Sequence, residues 1–229
     1  MVVSNLDMVF ERTIQLIGEA GLERLREARV ILFGVGGVGG WCAETLVRTG
    51  VQHLTLVDFD TVSESNLNRQ VVATAANIGA PKVEEMRKRL LAIMPDADIT
   101  AINRKYDDTT AEQFHLSQYD YIIDAIDTVD CKMRLLYEAT KTDAVLFSSM
   151  GAGRKLDPQQ IRVAEFWKVE GCPLARALRT RMKKSGLKPQ KKFRCVYSPE
   201  LSGERGTLAP VVGTFGMTLA SLVIRDILQ

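Results

Sequence analysis

The chain has 229 residues, of which 46% are hydrophobic and 25% are charged, and its formal net charge is +2. This composition is typical of a globular protein that buries a core, and it excludes global disorder. The length predicts a single domain over 1–229 without a second large domain, and the small net charge points to no particular class of partner.

Cysteine usage and the apolar segments bear on where the protein works. The four cysteines form no C-x-x-C pair and are Cys42, Cys131, Cys172 and Cys195. Their spacing does not indicate a structural zinc site, and a reducing cytoplasm is the simplest setting. The N-terminus does not resemble a secretory signal. The apolar segment 208–224 falls just short of the roughly 18 residues of a membrane span, so we expect a core or interface helix and no stable membrane insertion.

Hydrophobic periodicity predicts helices and strands that alternate along the chain. Short helices are predicted over 11–26, with breaks at Gly18 and Gly21, ahead of the first strand. Strands are predicted over 30–34, 54–58, 98–103, 120–124 and 144–148, and helices over 41–49, 80–92, 110–116 and 130–140. This alternation predicts an α/β fold with a Rossmann-like, doubly wound and mainly parallel sheet.

The pattern changes after residue 150. The segment 8–150 is therefore the predicted nucleotide-binding core, and 151–229 is a C-terminal extension. The extension contains a half-exposed strand over 161–166, a basic stretch over 176–194 and a C-terminal helix.

A glycine-rich loop, within the sequence VILFGVGGVGGW at 30–41, follows the first predicted strand. Its candidate phosphate-binding residues are Gly34, Gly36, Gly37 and Gly39, and three of them have the G-x-G-x-x-G spacing. Asp58 ends the next predicted strand, where dinucleotide-binding folds place an acid on the ribose. Both ATP and a nicotinamide dinucleotide have that ribose, so these residues leave the ligand open.

Polar residues that follow the second strand favour ATP. The segment DFDTVSESNLNRQ supplies the candidates Asp60, Asn66, Arg69 and Gln70, with a turn-forming role as the alternative for Asn66. Lys82 follows Pro81 at the predicted first turn of a helix, so its ammonium and Arg69 can converge on the loop. Such convergence suits a triphosphate better than a pyrophosphate, and a hydride-transfer site has no need of it.

Three acids follow the fourth predicted strand in the sequence YIIDAIDTVD. A carboxylate at this edge of the sheet can hold a magnesium ion that bridges phosphates. The alternatives are that Asp124 ends the strand, Asp127 turns the loop and Asp130 caps the next helix. We favour Asp127 as the metal ligand.

The ordered segments GVGGVG, VDFDTVSESNLNRQ, GAPK and DAIDT resemble the superfamily of ubiquitin-activating enzymes and the bacterial ThiF- and MoeB-type adenylating enzymes. This resemblance implies that ATP and Mg²⁺ adenylate a carboxylate. It assigns Asp58 to the ribose, the side chains Asn66, Arg69 and Lys82 to phosphates, and Asp127 to the metal. It also implies a homodimer in which an arginine before the first strand, here Arg12, reaches the partner's ATP.

Three further segments, FERTIQLIGEAGLERL, SSMGAGRKLDPQQIRV and RCVYSPE, resemble the branch that dehydrates threonylcarbamoyladenosine beside the tRNA anticodon. That branch implies that a carbamoyl group closes a ring onto the adenylated carboxylate, without a catalytic cysteine. The catalytic candidates are then Arg12, Arg69, Lys82 and Asp127. A monovalent cation (Na⁺ or K⁺) and a cysteine desulfurase or sulfur-acceptor partner stay open.

Two rival functions are weighed against this one. An activator of a sulfur-carrier or ubiquitin-like protein would adenylate that protein's C-terminal carboxylate. Such enzymes usually carry paired C-x-x-C zinc motifs and a reactive cysteine, whereas the cysteines here form no such pairs. An NAD-dependent oxidoreductase is disfavoured by Arg69 and Lys82.

The basic stretch contains no Asp or Glu from Gly171 to Ser198, which favours contact with nucleic-acid phosphates. The candidate tRNA-binding residues are Arg181, Lys183, Lys184, Lys191 and Lys192. A solvated loop or a tail that binds an acidic protein is the alternative. Cys195, which lies next to this stretch, is a redox or sulfur-handling thiol or, as we favour, a small buried residue.

Overall fold

The computed structural model describes residues 8–229, in which seven strands form one sheet. The strands are β1 (Arg29–Phe33), β2 (His53–Asp58), β3 (Asp98–Asn103), β4 (Tyr121–Asp124), β5 (Val145–Ser149), β6 (Arg162–Glu165) and β7 (Arg194–Tyr197). They lie in the order β3-β2-β1-β4-β5-β7-β6, and all neighbours are parallel except β6 and β7. The predicted α/β fold with a mainly parallel sheet is confirmed.

In the part of the chain that the structure describes, six helices longer than ten residues flank the sheet and bury it on both faces. They are α1 (Glu11–Glu27), α2 (Gly37–Thr49), α3 (Lys82–Ile93), α4 (Val129–Ala139), α5 (Pro173–Ser185) and α6 (Ala209–Ile227). Successive side chains of β1 point to opposite faces, as the pleat requires. Val30 and Leu32 join the core formed with α1, α2, α3 and α6, whereas Ile31 and Phe33 join the core formed with α4 and α5.

The strand order creates a site at one edge of the sheet. The chain moves outward from β1 through β2 to β3, and then returns to the other side of β1 to form β4 and β5. In open parallel sheets, ligands bind at the carboxyl ends of the strands where the order reverses in this way. We call this side the carboxyl edge and the opposite side the amino edge.

The predicted helix boundaries differ from the observed ones at three places. Helix α2 begins at Gly37, four residues before the predicted start at 41, because the glycine loop itself forms the first turn. The break at Gly18 is confirmed by its φ of 74°, but Gly21 lies within the helix. The prediction at 110–116 is two short 3₁₀ turns, Ala111–Phe114 and Leu116–Gln118.

Two elements within the basic stretch were not predicted. Helix α5 buries Ala175, Leu178 and Met182 on one face, which is a helical spacing hidden among many cationic residues. Strand β7 inserts between β5 and β6 and pairs with β5 in parallel. The basic stretch therefore runs from within helix α5 through a loop to the first residue of β7.

Helix α6 is the predicted C-terminal helix, and it ends at Ile227. Its length and composition alone would allow it to cross a membrane. However, 56% of its most apolar 18-residue segment is buried inside the protein. A Cβ on Gly216 would lie 2.5 Å from the carbonyl oxygen of Val38, so glycine lets α6 approach the backbone of α2. This packing is that of a core helix. Residues 1–7, on which the prediction about a secretory signal partly rests, lie outside the described residues.

Candidate functional site

A cavity of about 530 Å³ opens at the carboxyl edge, where the strand order reverses between β1 and β4. Its volume is within the usual range for small-molecule sites. Nearly all the candidate nucleotide-binding residues line it: Gly34, Gly36, Gly37, Asp58, Asp60, Asn66, Arg69, Gln70, Lys82 and Asp127. Gly39 and Arg12 do not line it.

The glycine loop presents the start of α2 to this cavity. Gly34 has a φ of 89°, and a Cβ there would lie 2.7 Å from the carbonyl oxygen of Ala125. A Cβ on Gly39 would lie 1.7 Å from the carbonyl oxygen of Gly34, so only glycine lets the helix start this close to the strand. No side chain caps the helix at Gly36. The first amide groups of α2 and its positive dipole end are therefore available to an anion.

Asp58 ties the glycine loop to the end of β2. One carboxylate oxygen accepts the amide of Val35 at 2.6 Å, and the other accepts the amide of Asp60 at 2.9 Å. Burial raises the pKa of Asp58, and this effect outweighs the opposing effects of the two amides and of Lys82. Each carboxylate oxygen keeps a second lone pair, so the group can still accept two hydroxyl groups of a ribose.

Two cationic side chains are held beside the loop by the segment that follows β2. The Lys82 ammonium is nearly buried and lies 2.8 Å from a carboxylate oxygen of Asp60. The Arg69 guanidinium donates to the carbonyl of Ser65 at 2.7 Å and to the side chain of Asn68 at 2.8 Å. These contacts fix both positive charges at the cavity before any ligand is present.

Asn66 has the turn-forming role that was the alternative for it, and it also lines the cavity. Its side-chain oxygen accepts the amide of Ser63 at 3.1 Å, which caps a short 3₁₀ turn. The side-chain nitrogen has no comparable contact among those found in residues 8–229, so it remains able to donate to a ligand.

The three acids after β4 have three different environments. Asp124 is fully buried and accepts the amide of Ile126 at 3.1 Å and the hydroxyl of Ser148 at 2.6 Å. Asp130 faces outward and forms an ion pair with Arg181 at 2.7 Å. Asp127 is exposed at the cavity, and its only hydrogen bond among those found in residues 8–229 is a 3.5 Å contact with Thr128. Of the three, Asp127 is the acid that a metal ion inside the cavity can reach.

Lys132 is a positioning residue that sequence reasoning missed. Its ammonium is fully buried, lies 2.6 Å from a carboxylate oxygen of Asp124 and donates to the carbonyl of Ile126 at 2.9 Å. Asp124 and Lys132 therefore hold both the amide and the carbonyl of Ile126, the residue that precedes Asp127. A lysine in a predicted amphipathic helix gives no sequence signal of such a role.

Further cavity residues come from the ends of β3 and β5. Arg104 and Lys105 follow β3. The segment from Ser149, the last residue of β5, to Gly153 also lines the cavity. The carboxyl-end rule could have identified Arg104 and Lys105, because β3 was predicted with its observed bounds. Together the lining has four cationic side chains (Arg69, Lys82, Arg104 and Lys105) against three acidic ones (Asp58, Asp60 and Asp127). This balance suits a polyanion that arrives with a metal ion.

All four cysteines are buried and unpaired. Burial raises the pKa of Cys42 and of Cys195 far above the usual value. Cys131 lines the cavity, but burial raises its pKa as well, so its thiol is a poor nucleophile. The structure supports the buried-residue alternative for Cys195.

The candidate tRNA-binding residues are not brought together. Arg181, Lys183 and Lys184 lie on α5. The ammonium of Lys191 donates to the carbonyls of Thr142 and Ala144, just before β5 begins, and Lys192 lies beside the same strand start. Lys191 therefore closes a loop at the amino edge, on the side of the sheet opposite the cavity.

Comparison with known proteins gives relatives that span most of this chain. The model of the ThiF family matches residues 10–229. A tRNA threonylcarbamoyladenosine dehydratase of Bacillus subtilis (strain 168) is 41% identical over 191 residues, which cover 83% of this chain and 74% of the relative. A molybdopterin-synthase adenylyltransferase of Escherichia coli (strain K12) is 33% identical over 205 residues, which cover 90% of this chain and 75% of the relative.

A solved structure is similar over nearly its whole length. The E. coli tRNA N6-threonylcarbamoyladenosine dehydratase TcdA in complex with ATP superimposes with a TM-score of 0.91 at 34% identity. The match covers 99% of this chain and 97% of that one.

The buried Asp124–Lys132 pair gives a prediction about stability. Lys132→Met should lower the free energy of unfolding by about 3–5 kcal/mol, because it leaves the Asp124 carboxylate buried without its partner. Adding Asp124→Asn should recover part of this loss. Urea unfolding measures the effect, with Lys88→Met as the control, since Lys88 is 70% exposed in its pair with Glu85. Equal losses for Lys132→Met and Lys88→Met would contradict the assignment.

Proposed function

The chain belongs to the ThiF family, and we propose that it is an ATP-dependent tRNA threonylcarbamoyladenosine dehydratase. One observation carries the proposal: a single cavity gathers the glycine loop, Asp58, two cationic side chains and the accessible Asp127. This is the set needed to bind ATP and activate a carboxylate. The similarity to the Bacillus subtilis and E. coli dehydratases, at 41% and 34% identity, favours the modified tRNA nucleoside as the carboxylate's source.

In the proposed complex, ATP lies along the carboxyl edge. Asp58 accepts the ribose hydroxyls, and the phosphates approach the amide groups at the start of α2. Arg69 and Lys82 neutralise the phosphates, and Lys82 exchanges its contact with Asp60 for a phosphate oxygen. The E. coli dehydratase structure that superimposes with a TM-score of 0.91 is a complex with ATP, which supports ATP as the ligand here.

Asp127 fits a magnesium ion that takes most of its other ligands from phosphates and water. Within residues 8–229, no group of three or more His, Cys, Asp or Glu side chains forms a complete metal site. Magnesium in phosphate-transfer sites characteristically uses one or two carboxylates together with substrate phosphates. When bound, the ion supplies charge neutralisation as pyrophosphate departs.

The proposed chemistry has two steps. A carboxylate oxygen of the threonylcarbamoyl group attacks the α-phosphorus of ATP, and pyrophosphate leaves. An atom of the neighbouring carbamoyl group then attacks the activated carbonyl carbon, a ring closes and AMP leaves, so the nucleoside loses one water overall. The nucleophile is already attached to the electrophile, which supplies the proximity that an enzyme nucleophile would otherwise provide. The raised pKa of Cys131, the cysteine that lines the cavity, agrees with a route that uses no thiol nucleophile.

We further propose a homodimer in which Arg12 serves the partner's cavity. Arg12 is exposed on α1 and is two residues from Phe10, whose ring lies 5.8 Å from the guanidinium of Arg26. Arg26 is three residues before β1 begins, so this part of α1 lies at the amino edge. The five residues of β1 span about 16 Å from the amino edge to the carboxyl edge. Arg12 is therefore separated by about that distance from the cavity of its own chain. A second copy is therefore needed for Arg12 to reach ATP.

The acid-free stretch from Gly171 to Ser198 supports tRNA as the macromolecular substrate, with Arg181, Lys183 and Lys184 on α5 as phosphate contacts. The ammonium of Lys191 donates to two backbone carbonyls at the amino edge. Lys191 and its neighbour Lys192 are therefore left out of the proposed tRNA contacts. A cytoplasmic location, a monovalent cation and a sulfur-transfer partner stay predictions.

Nucleoside mass spectrometry tests the proposed activity. Incubation with ATP, Mg²⁺ and tRNA carrying threonylcarbamoyladenosine should lower the mass of the nucleoside by one water. Asp127→Ala should slow this by on the order of 100-fold, because charge neutralisation in the transition state is lost. Asp96→Ala, a change of the same kind at an exposed acid in a turn of the amino edge, should retain the wild-type rate.

The rival function has a different outcome in the same experiment. If the tRNA nucleoside is unchanged while ATP is converted to AMP only in the presence of a small sulfur-carrier protein, the dehydratase proposal is wrong. The 33% identity to a molybdopterin-synthase adenylyltransferase makes this the appropriate second substrate to test.

Subunit mixing tests the role of Arg12. Arg12→Ala and Asp127→Ala should each be nearly inactive as homodimers, but the mixed dimer should have about half of the wild-type rate, because one of its two sites is complete. Two tags purify the mixed dimer for assay. No recovery would mean that Arg12 acts within its own chain or not at all, and a monomer at micromolar concentration would contradict the dimer.

A further inference from the structure

A second cavity, also of about 530 Å³, lies beside the first, between the N-terminus of α4 and the outer face of α5. Its polar lining consists of Asp130, Arg176, Thr180, Arg181 and Lys184. We call it the basic groove. Arg181 and Lys184 are proposed phosphate contacts already, whereas Arg176 and Thr180 are new.

The groove and the nucleotide cavity share a rim. Thr128 lines the cavity and Val129 lines the groove, and likewise Leu174 lines the cavity and Pro173 lines the groove. Arg181 pairs with Asp130 in the first turn of α4, so the residues of α5 before it extend past that turn. The start of α5 therefore separates the two cavities, with Pro173 on the groove side and Leu174 on the nucleotide side.

The charges in the groove favour an anion. Arg176, Arg181 and Lys184 contribute three positive charges, and Asp130 is the only acid in its lining. The Arg181–Asp130 pair is exposed, with 53% and 62% of the two side chains accessible. Exposed pairs contribute little stability, so Arg181 can exchange Asp130 for a phosphate at small cost.

We propose that the basic groove binds the tRNA backbone phosphates next to the nucleoside that enters the cavity. This proposal rests on the proposed dehydratase function and assigns a specific surface to its substrate. The modified base must leave the anticodon loop to reach ATP, and the backbone on either side must then cross the rim of the cavity. Cationic side chains on that rim hold the strand in register by phosphate contact, which is independent of base sequence.

The proposal separates the basic residues into two groups. Those in the groove face the carboxyl edge. Lys141 and Lys188 lie at the amino edge, because Lys141 follows the end of α4 and Lys188 is two residues before Gln190, whose amide donates to Thr140 at that end of α4. Both lysines are exposed, and neither is part of the cavity or the groove. They provide a matched change of charge at a distance from the proposed contact.

The test compares two double variants. One combines Arg176→Gln with Lys184→Gln in the groove, and the other combines Lys141→Gln with Lys188→Gln at the amino edge. Each double variant removes two positive charges. Binding of tRNA carrying threonylcarbamoyladenosine is measured at several salt concentrations. The groove variant should bind about tenfold more weakly and should lower the slope of log K against log salt by about 1.4, since each single-strand phosphate contact contributes roughly 0.7. The amino-edge variant should bind within about twofold of wild type, as expected for charges outside the interface.

Two controls separate the possible failures. Both variants should retain wild-type ATP affinity and thermal unfolding, so that a loss of tRNA binding cannot come from misfolding. If both variants dehydrate tRNA and lose equal affinity, or if the groove variant binds as wild type, the groove proposal is overturned while the dehydratase function stands. If the wild-type protein neither binds nor dehydrates the modified tRNA, the proposed function itself fails.

Discussion

The carboxyl edge of the sheet depends on one buried ion pair, Asp124 with Lys132. Burying two charges is unfavourable unless each finds its hydrogen-bond partners, and here Ser148 and both backbone groups of Ile126 provide them. The pair joins the end of β4, the end of β5 and the first turns of α4. These are the elements that carry Asp127 and the far wall of the cavity. A charged pair with fixed directions defines this geometry more narrowly than apolar packing would, because its hydrogen bonds are lost on small displacements.

On the other side of β1, close backbone contact has the equivalent function. Glycines at 34 and 39 let α2 begin against the strand, and Asp58 fastens that loop to β2. The two halves of the cavity thus differ in how they are held but present complementary charges. One half offers amide groups and cations, and the other offers an accessible carboxylate. A nucleoside triphosphate with a divalent cation matches both halves, because its phosphates suit the cations and its metal ion suits the carboxylate. A dinucleotide without a metal ion would match only the first half.

The local signals in the sequence were sufficient for the parts of the site that lie at strand ends. The glycine loop, Asp58 and the segment up to Lys82 follow predicted strands directly, so the rule for parallel sheets was enough to bring them to one edge. Lys132 was missed because its partners are chosen by the tertiary fold and not by helical periodicity. Helix α5 was missed because cationic residues obscured the spacing of Ala175, Leu178 and Met182. The amino-edge position of Lys191 also depends on β7, which the sequence pattern did not predict.

The central claim is that this cavity activates a carboxylate of the tRNA nucleoside as an adenylate, and isotope transfer tests it most directly. The nucleoside carboxylate is labelled with ¹⁸O before incubation with ATP, and the nucleotide products are weighed. Adenylation followed by ring closure leaves one carboxylate oxygen on the phosphorus, so the account predicts AMP that contains one ¹⁸O atom. Label in inorganic phosphate together with ADP, or unlabelled AMP beside a dehydrated nucleoside, would contradict it.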